Sequence, residues 1–168
     1  NTILLGSFSK IVSPGMRLGW ITAKKEIMEK LIIAKQAADL QSNYFAQRVV
    51  YEYLKENDIE VHIEKIRNLY KIQRDCMVSA IEKYFPDEVQ ITRPEGGMFI
   101  WVTLPEGYSS LDLFDIVIKK KVAFVPGDPF YSGKEGMNLG EIIENKQTKE
   151  KIEIGIKALA EGIKELLA

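Results

Sequence analysis

The side chains whose types and spacing best suit covalent chemistry lie in one early segment, Gly6-Ser7-Phe8-Ser9-Lys10-Ile11-Val12-Ser13-Pro14-Gly15-Met16-Arg17. Lys10 follows the apolar run Thr2-Ile3-Leu4-Leu5 and stands among small residues, where a lysine is expected to lose hydration and its ammonium form to be disfavoured. The neutral amine that results is the nucleophile Schiff-base chemistry needs. Ser7 and Ser9 carry hydroxyls that can donate to anionic oxygens, while Gly6 and Gly15 let backbone approach closely. Arg17, just past the Pro14-Gly15 turn, offers a planar fork of donors suited to a phosphate. Together these residues describe a lysine that captures an aldehyde beside a site that holds a phosphate.

Elements must position that segment. Thr2-Ile3-Leu4-Leu5 reads as a buried strand of a parallel sheet, and residues 16–23 as a second strand across the polar loop. Ile27, Leu31, Ala34 and Ala38 then keep a helical step. Ser42 or Asn43 can cap the next helix, which carries Phe45, Val49 and Tyr53 and ends near Asn57. The longest helical period covers residues 59–85, and Pro86 stops it. Beyond it the pattern turns to strands: 89–92 and 97–104 form a hairpin-like pair around Arg93-Pro94-Glu95-Gly96, with Trp101, like Trp20, expected in the strand core. A short helix over 111–121, a strand over 122–125 and a helix over 148–167 complete the chain, the last with Ile152, Ile156, Leu159, Ile163 and Leu166 on one stripe. The expected class is α/β, with residues 1–75 forming part of a larger domain and residues 76–168 a smaller α+β domain. The long helix is shared between them.

Composition narrows the function. The 168 residues carry 23 Lys+Arg against 24 Asp+Glu, a balance that lacks the basic excess of a nucleic-acid binder. One cysteine, Cys76, and one histidine, His62, leave no cluster for zinc, and His62 reads as a helix-flank residue rather than a triad base. Cys76 reads as a small buried hydrophobe, and Lys119-Lys120-Lys121 as the end of a helix. No apolar run reaches the roughly 18 residues of a membrane span, so the expected compartment is the cytoplasm.

Ser7-Phe8-Ser9-Lys10, followed by Pro14-Gly15 and Met16-Arg17-Leu18-Gly19-Trp20, resembles the Schiff-base segment of fold type I pyridoxal-phosphate aminotransferases of class I/II. The similarity is greatest to the aminoadipate and aromatic aminotransferase branch, and it extends to Pro94-Glu95-Gly96-Gly97-Met98-Phe99-Ile100-Trp101 and to residues 122–131. The resemblance implies that Lys10 forms the aldimine with pyridoxal 5′-phosphate and acts as the proton-transferring group. It also implies that Ser7 and Arg17, with Ser9 in support, bind the cofactor phosphate, and that Gly97 lies on the substrate side, where a side chain would obstruct. Amino acid and 2-oxo acid substrates and a homodimer follow from it, with Asn43 and Tyr44 where the family's chain approaches the partner subunit.

Two departures accompany the resemblance. The family's aspartate at the pyridine nitrogen and its ring-stacking aromatic precede the Schiff-base lysine, so the chain is expected to be the C-terminal portion of a longer protein and inactive alone. The family's carboxylate-clamping arginine has no counterpart in residues 137–146, around Asn138, since the arginines are Arg17, Arg48, Arg67, Arg74 and Arg93. The alternatives are another fold type I reaction, a lyase or a synthase, and the effector-sensing domain of a transcription regulator.

Overall fold

The computed structural model describes residues 2–130, 139–143 and 148–168. In chain order its elements are β1 (Ile3–Ser7), β2 (Gly19–Ala23), α1 (Lys25–Asp39), α2 (Tyr44–Glu56), α3 (Ile59–Tyr84), β3 (Gln90–Ile91), β4 (Phe99–Thr103), α4 (Ser110–Val117), β5 (Val125–Pro126), β6 (Leu139–Ile143) and α5 (Lys149–Leu167). Contacts divide the chain into two compact units, Asn1–Arg67 and Asn68–Ala168. The division falls inside α3, between residues 67 and 68 rather than at the 75/76 boundary drawn from the sequence. The mixture of helix and strand is that of an α/β fold.

In the first unit β1 and β2 pair antiparallel, with Ile3 opposite Ala23, Gly6 opposite Trp20 and Ser7 opposite Gly19. Residues 8–18 double back directly, which makes this pair antiparallel, whereas a parallel neighbour needs a crossover connection. In this chain Ile3, Leu4 and Leu5 are 48, 53 and 69% exposed. Trp20, expected in the core, is exposed as well, because its indole lies across the strand pair: a Cβ added at Gly6 would fall 2.0 Å from the ring. Residue 6 must therefore lack a side chain for the ring to rest there.

No residue of α1 is buried, and the helix ends in a three-residue turn in which the Gln41 N–H donates to the Asp39 carbonyl at 2.6 Å. Leu40, at its centre, sits at φ 60°, a strained place for a branched side chain. Of the two candidate caps for α2, Asn43 takes the role, its Oδ1 accepting from the Ala46 N–H at 3.0 Å. That satisfies one of the donors a helix start leaves open.

The second unit holds the larger core. Its sheet runs β3-β4-β6-β5 with every pair antiparallel, so the hairpin-like pair read from the sequence is present as β3 against β4. The expected strand near 122–125 reduces to Val125–Pro126 at the sheet edge, where a proline's missing N–H breaks no ladder. Trp101, on β4, is half-buried with its ring edge-on to Phe130. Four residues of the α5 stripe, Ile152, Ile156, Leu159 and Ile163, are each at most 5% exposed. α5 approaches α4 so closely that a Cβ added at Gly162 would lie 2.4 Å from Val117 Cγ1. The lysine run closes α4 as expected: a 3₁₀ turn covers Ile118–Lys120, and Lys121 adopts φ 62°.

A polar clamp joins α3 to α5. The Tyr84 hydroxyl donates to Glu153 Oε1 at 2.7 Å, and Lys83 Nζ reaches the same oxygen at 3.0 Å. The tyrosine hydroxyl first, and the ammonium second, hold the Glu153 carboxyl below its ordinary range. A carboxyl depressed in the folded state stabilises above its unfolded pKa, and that contribution is lost as pH falls through the folded one. Glu153→Gln is therefore expected to flatten the loss of stability on acidification from pH 6 to pH 3. Urea midpoints at stepped pH measure it, and a slope unchanged by the substitution would rule the clamp out.

Candidate functional site

The segment that carries Lys10 is a tight loop between β1 and β2. Its Phe8 N–H donates to the Leu18 carbonyl at 3.0 Å, and the Phe8 carbonyl accepts from Val12 and Ser13 at 2.8 and 3.0 Å. Phe8, Val12 and Met16 pack on a small core of Leu18 with Ala46 and Val50 of α2. The apolar side chains of the loop are thus committed to α2, and the polar ones are left outward. Ser7, the last residue of β1, accepts from the Ser9 N–H at 3.2 Å, which ties the two hydroxyl residues together. Arg17 takes a left-handed conformation, φ 53° and ψ 40°. Its backbone N–H and its Nη1 both donate to the Pro14 carbonyl, at 3.4 and 3.2 Å.

Lys10 lies exposed in the turn that follows β1. The residues that bury area here, Phe8, Val12 and Met16, turn toward α2. Ser7 and Arg17 are also exposed, and Ser9 is half-buried. The loop carries one primary amine, Lys10, one guanidinium, Arg17, and the hydroxyls of Ser7, Ser9 and Ser13.

Gly97 belongs to the other unit, in the bend between β3 and β4. Its φ of 85° is a conformation that residues with a side chain rarely adopt, and an added Cβ would meet nothing within 4 Å. Within this unit the requirement for glycine is conformational. The sequence reading passed over Arg74, which donates into this bend at the Pro94 and Glu95 carbonyls. Its only outward signal is an arginine followed by an acid on a helix that faces a turn.

His62 flanks α3 with its ring edge-on to Tyr53, as a structural residue does, and half-buried Cys76 packs against the larger core. Asn43 is spent on capping α2, and Tyr44 is exposed. Of the stretch that lacks the clamping arginine, Leu139–Ile143 forms β6, with Gly140 opposite Val102 and Pro126. Met137, Asn138, Glu144, Asn145 and Lys146 lie outside the described residues.

Residues 1–143 match the family of class I and II aminotransferases, and the chain belongs to that family. Aromatic-amino-acid aminotransferase 1 of Thermococcus litoralis is 45% identical over 98% of this chain and 40% of its own length. LysN, an α-aminoadipate aminotransferase of Thermus thermophilus solved with N-(5′-phosphopyridoxyl)-L-leucine, superposes with a TM-score of 0.94. It is 40% identical, and the match covers 98% of this chain and 42% of that one. An HTH-type transcriptional regulator, YisV of Bacillus subtilis, is 33% identical over 99% of this chain and 34% of its own length. The chain therefore spans about two fifths of the length of the aminotransferases it matches. Its ancestry is that of the pyridoxal-phosphate-dependent aminotransferases. The donor set of the loop fits that cofactor, with an amine for an aldehyde and hydroxyls and a guanidinium for a phosphate ester.

Proposed function

We propose that this chain is the C-terminal portion of an enzyme that moves an amino group between an L-amino acid and a 2-oxo acid. Lys10 is its catalytic residue; Ser7, Ser9 and Arg17 hold the cofactor phosphate, and Gly97 borders the substrate. The observation that supports the reading is the loop itself, which carries an amine, hydroxyls and a guanidinium while its apolar residues anchor it to α2. Bound pyridoxal phosphate supplies an aldehyde that takes up amines and a conjugated ring that draws electrons from the substrate Cα. Lys10 Nζ secures the cofactor and, once free, takes up the Cα proton as base and returns it as acid. Arg17 and the two hydroxyls place charge-assisted hydrogen bonds on the phosphate, which fixes the ring relative to Lys10.

The same reading makes the protein a cytoplasmic homodimer whose substrates are small amino and oxo acids, and gives the isolated chain no turnover of its own. The test is oxo-acid formation from a panel of L-amino acids by the complete protein supplied with pyridoxal phosphate. Within that experiment Arg17→Ala is expected to weaken cofactor binding by roughly 10- to 100-fold, the worth of a charge-assisted contact, with little change in kcat at saturating cofactor. Cofactor titration reads the difference, and an unchanged Kd would remove Arg17 from the site. The similarity to a transcription regulator supports a second reading, an effector-sensing domain. Cofactor binding without amino transfer to any oxo acid would favour it, and elimination or condensation products would favour a lyase or synthase.

A further inference from the structure

We propose that Arg74 is a positioning residue for substrate binding, which holds the Pro94-Glu95-Gly96-Gly97 bend from the side of α3. The inference rests on the reading of Gly97 as bordering the substrate.

The bend has little to hold it in shape from within. β3 ends at Ile91 and β4 begins at Phe99, so sheet pairing stops on either side. The base is closed by the Thr92 N–H on the Trp101 carbonyl at 2.9 Å and the Trp101 N–H on Thr92 Oγ1 at 3.0 Å. Between these points Gly97 stands at φ 85°, and an unstrained glycine has many other conformations open to it. Arg74 supplies what the ladder does not: its Nη1 donates to two successive carbonyls, Pro94 at 3.2 Å and Glu95 at 3.1 Å.

The guanidinium is itself oriented. Its Nε and Nη2 donate to Asp75 Oδ1 at 3.0 and 2.6 Å, and Asp75 Oδ2 accepts from Lys71 Nζ at 2.7 Å. Lys71 first and Arg74 second hold the Asp75 carboxyl below its ordinary range. One edge of the planar fork is fixed by the carboxylate, and the remaining nitrogen is aimed at the bend. A lysine has no second edge and cannot do both. The Arg74 side chain is 21% exposed, against 73% for Arg93, whose pairing with Glu82 at the start of the bend is an ordinary surface contact of little worth. The helix beneath Arg74 is firmly seated, since Met77, Ala80 and Ile81 lie in the core. Arg74 lies outside that core, so its loss frees the bend and leaves the fold.

The experiment uses the complete protein with pyridoxal phosphate and compares Arg74→Lys, Arg74→Ala and Gly97→Ala. Hydrogen exchange of the peptide spanning residues 92–101 is expected to quicken about tenfold in both Arg74 variants, with peptides of α5 unchanged. KM for the amino acid is expected to rise about tenfold, with cofactor Kd and kcat within twofold, and Lys is expected to rescue no better than Ala. Rescue by lysine, or a KM unmoved by Arg74→Lys while Gly97→Ala raises it, overturns the positioning role alone. A bend loosened by the Arg74 variants with KM unmoved in all three overturns the substrate-side reading of Gly97, and the inference falls with it.

Discussion

Replacing Lys10 with alanine in the complete protein is expected to lower the rate of amino transfer by about 10⁴-fold. Positioned proton transfer is worth roughly 10²–10⁴, and an anchored amine adds to that. Pyridoxal phosphate should still bind, because in the proposed site Ser7, Ser9 and Arg17 would hold its phosphate through contacts that do not involve the lysine. The visible absorbance that a lysine-bound cofactor shows should be lost. Lys10→Arg sharpens the test: arginine keeps the charge and the reach but does not surrender its proton, so it should be as inactive as alanine. Single-turnover absorbance with a good amino donor measures the step, and a rate within tenfold of the parent would exclude Lys10 from the chemistry. The loop around it makes the substitution clean, since Phe8 and Val12 anchor the turn and Lys10 contributes nothing to that core.

In the second unit, Ile163→Ala should destabilise by about 3 kcal/mol, within the usual 2–5 for truncating a buried isoleucine. Ile163 has no solvent exposure and stands next to Gly162, where α5 approaches Val117 too closely for even a methyl group to be added. A helix seated that tightly cannot slide to fill the space a lost side chain leaves, which places the effect in the middle of the range rather than at its foot. Ile154, on the same helix and 70% exposed, is the internal control: Ile154→Ala should change stability by no more than about 0.5 kcal/mol. Urea unfolding followed by far-ultraviolet circular dichroism compares the pair. Equal shifts would mean that α5 does not pack on this core.

How far the sequence carried depends on which force decided each element. The helices of the second unit were legible because their period and their burial agree: Ile152, Ile156, Leu159 and Ile163 recur at helical spacing and all lie in the core. Pro86 marked the end of α3 to within two residues of Tyr84 for a covalent reason, the missing donor. For β1 an unbroken apolar run signals a strand, but nothing in Ile3-Leu4-Leu5 says that its neighbour within this chain, β2, runs antiparallel. Trp20 was misplaced for a related reason, since its partner is the bare backbone of Gly6 and a glycine gives no sign of what lies over it. At the site, residue types named the chemistry, while the exposure of Lys10 and the reach of Arg74 to two carbonyls depend on packing that no spacing encodes.

The indole resting on Gly6 gives the molecule a means of reporting on itself. Trp20 and Trp101 are its two tryptophans, one in each compact unit. Trp20 is 43% exposed and sits in the strand opposite the one that ends in Ser7, whereas Trp101 is half-buried against Phe130. Their fluorescence is therefore expected to differ in colour as well as in place, a wet emitter beside the Lys10 loop and a drier one beside the arginine-held bend. In this chain a phenylalanine at either position leaves a single lamp, and the two units can then be watched one at a time as the fold comes apart.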